Sequence, residues 1–455
     1  MRMKQKVDYL IVIAILALFV ASIGMMTMGR SADTDQDNDG VPPELGIQTP
    51  VEYIYWDSEG HMVEASCVEY KTMSGTHILH TTMYTGWYIF DGLNTTQDLS
   101  VVGNANIIIV DESSINQLLI TDRSEVHIFS VSGATGTQGV LKIVDKGRIC
   151  GYNGASVSIN IHSGTVDATS VLNAHSGVST IGAGVNGHAT VVIDGGVVKS
   201  KAQSYGSALG GGQNGTSTIV INGGHVEVTS SRNACGIGGG ERSQSSIEIN
   251  GGTVIAYESF GAGIGCADKS KTEIKINGGN VHSEGRGSVA IGSGVDGTSI
   301  IVINGGKVYA SSNGNPAAIG CSSSQEMYRD GVLSSSIYIN GGEVTAVSNG
   351  FGAAIGSGFM SKALIRITGG TVDAQSHELG AAIGTGNYAK AEVTITGGNI
   401  KAFNDGQGAA IGSGKRGDVT MSIYSQVDAS TTGQGWAIGP GVSGTCTMLY
   451  GEQRR

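Results

Sequence analysis

The stretch Ile219-Val-Ile-Asn-Gly-Gly-His-Val-Glu-Val228, followed by Ala234-Cys-Gly-Ile-Gly-Gly-Gly240, decides the architecture. Alternation in Ile219-Val-Ile221 and again in Val226-Glu-Val228 marks two short strands, Gly223-Gly224 forms the corner between them, and Cys235-Gly-Ile-Gly238 reads as a third, very small side. The same phrase, Ile-x-Ile-Asn-Gly-Gly-x-Val-x-Ala and then Ala-Ile-Gly-small-Gly, recurs about ten times between Gly164 and Met421. Its second corner glycine falls at Gly196, Gly224, Gly252, Gly279, Gly306, Gly342, Gly370 and Gly398, in steps of 28, 28, 27, 27, 36, 28 and 28 residues. One copy cannot bury its Val and Ile residues alone, whereas stacked copies bury them in a continuous core. The expected fold is all-β: a right-handed parallel β-helix of about ten regular coils of 27–28 residues, one per repeat, with less regular coils before them.

The composition agrees. The chain has 455 residues, 74 of them glycine, with 14 % charged and 5 % aromatic residues, so its core is thin and built from small side chains. Glycine lacks the three-residue period of collagen, and Val and Ile at fixed positions argue against disorder. A formal charge of -11, with no basic cluster beyond the first six residues, leaves no electrostatic footprint for nucleic acid. The paired glycines allow close approach between coils rather than cradling phosphate, because no helix follows them. Before each corner stand Asp194, Asn222, Asn250, Asn277, Asn304 and Asn340, then Thr368 and Thr396, which stacking would turn into a hydrogen-bonded ladder.

Outside the repeats, residues 1–8 form a basic end and the apolar run 9–28 is long enough to span a bilayer core. Arg2, Lys4 and Lys6 before it, and the acidic residues after it, orient the repeats outward. The favoured reading is a transmembrane anchor displaying the chain at the cell surface; a cleaved signal peptide, which would make the chain secreted, is the alternative. An acidic linker follows at 29–48, then a hairpin or cap module at 49–86, where Val51–Trp56 and Met62–Tyr70 flank Asp57-Ser-Glu-Gly60. This hairpin is expected to cover the first coil. The β-helix then runs over 87–455 and ends in Gly-Glu-Gln-Arg-Arg without an amphipathic cap, so that either its charges blunt the edge or another chain covers it in a head-to-tail contact.

Six cysteines in an exported chain invite bridges, but Cys266 and Cys321 fill the small slot after Ile-Gly two coils apart, beyond bridging reach, and Cys235 is out of register with Cys266. A Cys67–Cys150 bridge stays open, and Cys446 is unassigned.

Gly-Trp-Tyr-Ile-Phe-Asp-Gly at 86–92 and Asn-Ile-Ile-Ile-Val-Asp at 106–111, followed by the Ile-Asn-Gly-Gly-x-Val-x-Ala and Gly-Ala-Ala-Ile-Gly-Ser-Gly phrases, resemble the adhesin-like and carbohydrate-binding right-handed β-helix surface proteins of anaerobic and gut microbes. The resemblance covers about residues 50–450 and implies an extracellular scaffold, in some relatives one that binds acidic polysaccharide, with no catalytic motif to carry over.

Because the copies are nearly identical, ligand-specific chemistry belongs where they differ. The loop before Ala-Ile-Gly carries Tyr205, Phe260, Phe351 and Trp436 in four copies, and the longest loop carries Tyr328 and Arg329. These are the candidate binding residues for a polysaccharide or a host or neighbouring cell surface, with tucking over glycine-rich backbone as the alternative. Asp33, Asp35, Asp37 and Asp39 end in Gly40 like the opening of a calcium loop, and resemble thrombospondin-type repeats. Pro43 and Gly46 break the pattern, so a solvated acidic linker competes with a weak Ca²⁺ site. His77 and His80 lack an evident third ligand, and Asp373 and Asp428 flank Lys401 two coils apart, an arrangement better suited to surface charge pairing than to glycoside hydrolysis. The sequence therefore supports a non-catalytic adhesion or carbohydrate-binding protein; a passive envelope spacer and a polysaccharide lyase or hydrolase are the alternatives.

Overall fold

The computed structural model describes residues 49–452, apart from 58–60, 77, 79–80, 132–138, 170–176, 204, 232, 259 and 325–333. The apolar run 9–28, the aspartates Asp33, Asp35, Asp37 and Asp39, His77 and His80, and Tyr328 and Arg329 therefore lie outside the described residues. Among the described residues no helix is long and apolar enough to cross a membrane.

Each regular coil has three sides. In the coil quoted above these are Thr216–Ile221, His225–Ser230 and Cys235–Gly239. Ser217, Ile219 and Ile221 point inward from the first side, Val226, Val228 and Ser230 from the second, while the third side is buried throughout. Equivalent residues pair in parallel from coil to coil, Ile219 with Ile247, Val226 with Val254 and Ile237 with Ile264. The result is a right-handed-type parallel β-solenoid of about eleven turns. Its core consists of axial rows of Ile, Val and Ala, each buried Ile or Val contributing roughly 1.5–3 kcal/mol. The 36-residue step leaves this register intact, since Ile303 pairs with Ile339 and Lys307 with Glu343 across it.

The two corner glycines do different jobs. A Cβ on Gly223 would stand 2.5 Å from the Asp194 carbonyl oxygen of the coil before it, so that position is set by close approach. Gly224 has φ 77° as well and would meet the Gly196 carbonyl oxygen at 2.6 Å. A further corner, between the third side and the next first side, holds ordinary residues in the left-handed region: Asn214 at φ 56°, Arg242 at 56°, Lys269 at 57° and Asp296 at 55°. Composition gives no hint of it.

The expected side-chain ladder is present. Asn222 Nδ2 donates to Asp194 Oδ1 at 2.8 Å, Asn250 to Asn222 at 2.9 Å, Asn277 to Asn250 at 2.8 Å, Asn304 to Asn277 at 2.9 Å and Asn340 to Asn304 at 2.9 Å. Thr368 Oγ1 closes it on Asn340 Oδ1 at 3.0 Å, and Thr396 turns to the Ile367 carbonyl instead.

Val51–Trp56 and Met62–Cys67 form the expected antiparallel hairpin, but it lies on the flank of the early coils rather than over the first one. The physical reason is the run Ile107-Ile-Ile109: with Ile107 and Ile109 in the core, Ile108 faces outward and needs cover. Tyr53 supplies it together with Ile89 and Phe129, its ring 5.1 Å from Trp87 and 4.9 Å from Phe129. Ile54 bridges to Ser130, and Ser163 Oγ donates to the Ile54 carbonyl at 2.5 Å.

All six cysteines are free thiols, so the Cys67–Cys150 bridge left open above does not form. Cys67 faces the hairpin cluster, whereas Cys150 sits fully buried in the strand Val140–Gly151 on the solenoid itself.

Candidate functional site

Two rows of loops flank the short third side and meet across it. The Tyr205 carbonyl accepts from Glu241 N at 3.2 Å, the Phe351 carbonyl from Asn387 N at 2.8 Å, and the Gln407 carbonyl from Val442 N at 2.9 Å. The third side, five residues long in the earlier coils and two in the later ones, thus becomes one edge of the rod, lined by the positions at which coils differ.

The four loop aromatics occupy this edge without forming a single patch. Tyr205 and Phe260 are two coils apart, and Phe260, Phe351 and Trp436 follow at three-coil intervals, roughly 10, 14 and 14 Å at about 4.8 Å per coil. Trp436 tucks over backbone, since a Cβ on Gly439 would lie 3.1 Å from its Cε3. Phe260 is 63 % exposed, on a turn held by the buried Glu258, whose Oε1 accepts from Phe260 N at 2.8 Å and Gly261 N at 3.2 Å.

Phe351 has neighbours that the sequence did not single out. Its ring centre is 6.3 Å from Phe359, which meets Tyr388 edge-on at 6.1 Å and 88°. The Arg416 guanidinium lies over the Tyr388 ring, 5.1 Å from its centre, and donates to the Tyr388 hydroxyl. Phe351 is 38 % exposed and Tyr388 43 %, and Arg416 is exposed. Tyr388 and Arg416 occupy the left-handed corner at φ 55° and 54°, which throws both side chains outward from successive coils. The signal available in sequence was their offset, five residues after the Ile of Ile383-Gly and Ile411-Gly, a position the repeat phrase does not mark.

The edge changes character along its length. Around Glu241, Asp268 and Asp296 it is mixed in charge, with the exposed Arg242 and Lys269 beside the acids; burial pushes the Asp268 carboxyl up, against the pull of its hydrogen bond from Val295 N at 2.8 Å, Glu241 and Asp296 push it further, and Lys269 pulls it back. Around Phe351 to Arg416 it carries three aromatic rings and the Arg416 guanidinium. Apolar ring faces beside a planar, multiply donating guanidinium suit the faces and the hydroxyl or carboxylate groups of sugars.

The outward column of the second side runs Lys199, Glu227, Ile255, His282, Tyr309, Thr345, Asp373, Lys401 and Asp428, in the register read from sequence. Asp373 accepts from Gln375 at 3.0 Å, and His282 stacks on Tyr309 at 4.6 Å. Among the described residues no group of three or more His, Cys, Asp or Glu is placed to hold a metal ion.

Fold and edge together define a parallel β-helix repeat protein. The family model for the beta helix repeat matches residues 219–241, 247–268, 274–295, 301–323, 337–359, 365–387 and 393–415. Each match opens on a first-side core residue, and six of the seven end immediately before a left-handed corner residue, so the family's repeat and the structural coil coincide. No curated protein and no solved structure matches the chain.

Proposed function

We propose that this chain is a non-catalytic, surface-displayed β-helix that binds carbohydrate along its loop edge, with Phe351, Phe359, Tyr388 and Arg416 as the principal contact. The observation that carries the reading is that three aromatic rings and a guanidinium from successive coils converge on the outside of the rod. The core has no use for them there. Arg416 favours sugars bearing a carboxylate. Display at the cell surface rests on the apolar run 9–28 and the charges flanking it.

A glycan array probed with the full chain tests this. Binding to polysaccharide that weakens about tenfold in Tyr388→Ala and in Arg416→Ala, with an unchanged melting temperature, is the expected result. Binding that both variants retain in full would remove the site, and no binding to any glycan would favour a passive spacer.

A further inference from the structure

Four titratable side chains lie in a line where the hairpin meets the flank. Glu125 Oε1 is 3.2 Å from His127 Nε2, His127 Nδ1 is 3.0 Å from His162 Nε2, and His162 Nδ1 is 2.9 Å from Asp194 Oδ2. The two imidazole planes differ by 3° and their centres are 5.3 Å apart. The centre separation exceeds the N···N separation by 5.3 − 3.0 = 2.3 Å, twice the distance from ring centre to nitrogen, so the contact is edge to edge and in line. This is a line of two hydrogen bonds continued by the His127–Glu125 ion-pair contact, not a convergent metal site.

The proton count follows from its ends. Both terminal groups are carboxylates and can only accept, so the three contacts require three ring protons. Two neutral imidazoles carry two, which leaves one contact with lone pair facing lone pair. A third proton satisfies all three.

We propose that His127 and His162 together bind one extra proton, shared across their 3.0 Å contact, and that this proton fastens the hairpin 51–67 to the solenoid. The inference is independent of carbohydrate binding. The groups facing the pair are Glu125 on its own strand, Asp194 after the strand His188–Ile193, and Tyr55 on the hairpin, whose ring meets His162 edge-on at 6.4 Å and 80°. Phe129 stacks on the His162 ring at 4.6 Å and 12°, a face that stabilises an imidazolium. Glu125 is held by Asn160 Nδ2 at 2.7 Å, and Asp194 by Asn222. Next to His162, Ser163 makes the hydrogen bond to Ile54 that anchors the hairpin strand, so turning the His162 ring disturbs that anchor. A second extra proton would set N–H against N–H. Burial pushes His127 down, Glu125 pulls it up and the neighbouring imidazole pushes it down again, and the net shift is downward.

Imidazole ¹⁵N spectra of the full chain, labelled at histidine and held in detergent, count the ring protons directly. Three N–H groups on the two rings at neutral pH, falling to the neutral form of the remaining ring in His127→Gln, is the expected result; two neutral rings that titrate independently would overturn the proposal. Hydrogen exchange tests the fastening. Glu125→Gln and Asp194→Asn should speed exchange in Val51–Trp56 about tenfold and leave the distant strand Lys362–Ile367 unchanged. Equal rates in the hairpin of wild type and both variants would overturn that part.

Discussion

Asp194 sets the direction of the amide ladder. Its carboxylate accepts and cannot donate, so Asn222 must offer its Nδ2, which leaves Asn222 Oδ1 to accept from Asn250, and so on to Thr368. Every donor then points toward Asp194, as the N–H groups of a helix point toward an anion at its N-terminus. Burial pushes the Asp194 carboxyl up, yet the hydrogen bonds from His162 and Asn222 outweigh it and hold the group below its usual range. A depressed carboxylate pKa contributes stability that is present above the unfolded-state pKa and lost as pH falls through the folded one. Asp194→Ala should therefore cost about 1–3 kcal/mol at neutral pH and flatten the acid side of the stability profile, as measured by urea denaturation across pH. The cysteines give a second residue-scale outcome. Burial pushes the Cys150 thiol up to about 11, and five of the six thiols are buried. Alkylation of the folded chain at neutral pH should modify Cys446 at most, and mass spectrometry should show no disulfide; modification of several thiols without denaturant would contradict the packing.

At the scale of the coil, glycines in different columns should fail differently. On Gly238, at φ 135°, a Cβ would run into the Gly265 carbonyl oxygen, and the backbone of the next coil cannot yield. Gly314, at φ 84°, has open space around it. Gly314→Ala should thus cost about 1 kcal/mol of backbone strain, and Gly238→Ala at least about 3 kcal/mol or the fold itself, by thermal denaturation. What the sequence revealed about these elements follows the same physics. Strands, glycine corners and the asparagine column were legible because each is dictated by one residue type at a fixed step. The left-handed corner was not, because Asn214, Arg242, Lys269, Met360 and Tyr388 share no chemistry; coil closure imposes that conformation on whatever residue stands there. For the same reason Phe351 was legible as an odd loop residue, while Phe359, Tyr388 and Arg416 were not. The hairpin's pairing could be read locally, but its docking depended on Ile108 facing outward in a run whose neighbours face inward.

For the whole molecule, stability is a sum over coils and their interfaces, so each coil is held only by its neighbours and register must carry across every irregularity. The 36-residue step is the severest test, because it is about eight residues longer than its neighbours while the pairing on either side of it stays in register. Glu227 and Lys401 stand in one outward column, joined through Ile255, His282, Tyr309, Thr345 and Asp373, which places them six coils apart across that step. Nitroxide labels at Glu227→Cys and Lys401→Cys, with Cys446→Ser to silence the least buried thiol, report this separation by pulsed electron paramagnetic resonance. A single narrow distance near about 29 Å, six coils at about 4.8 Å each, is the expected result. A distance of about 34 Å or more, or a broad spread, would mean that repeat and coil do not coincide and would contradict the account.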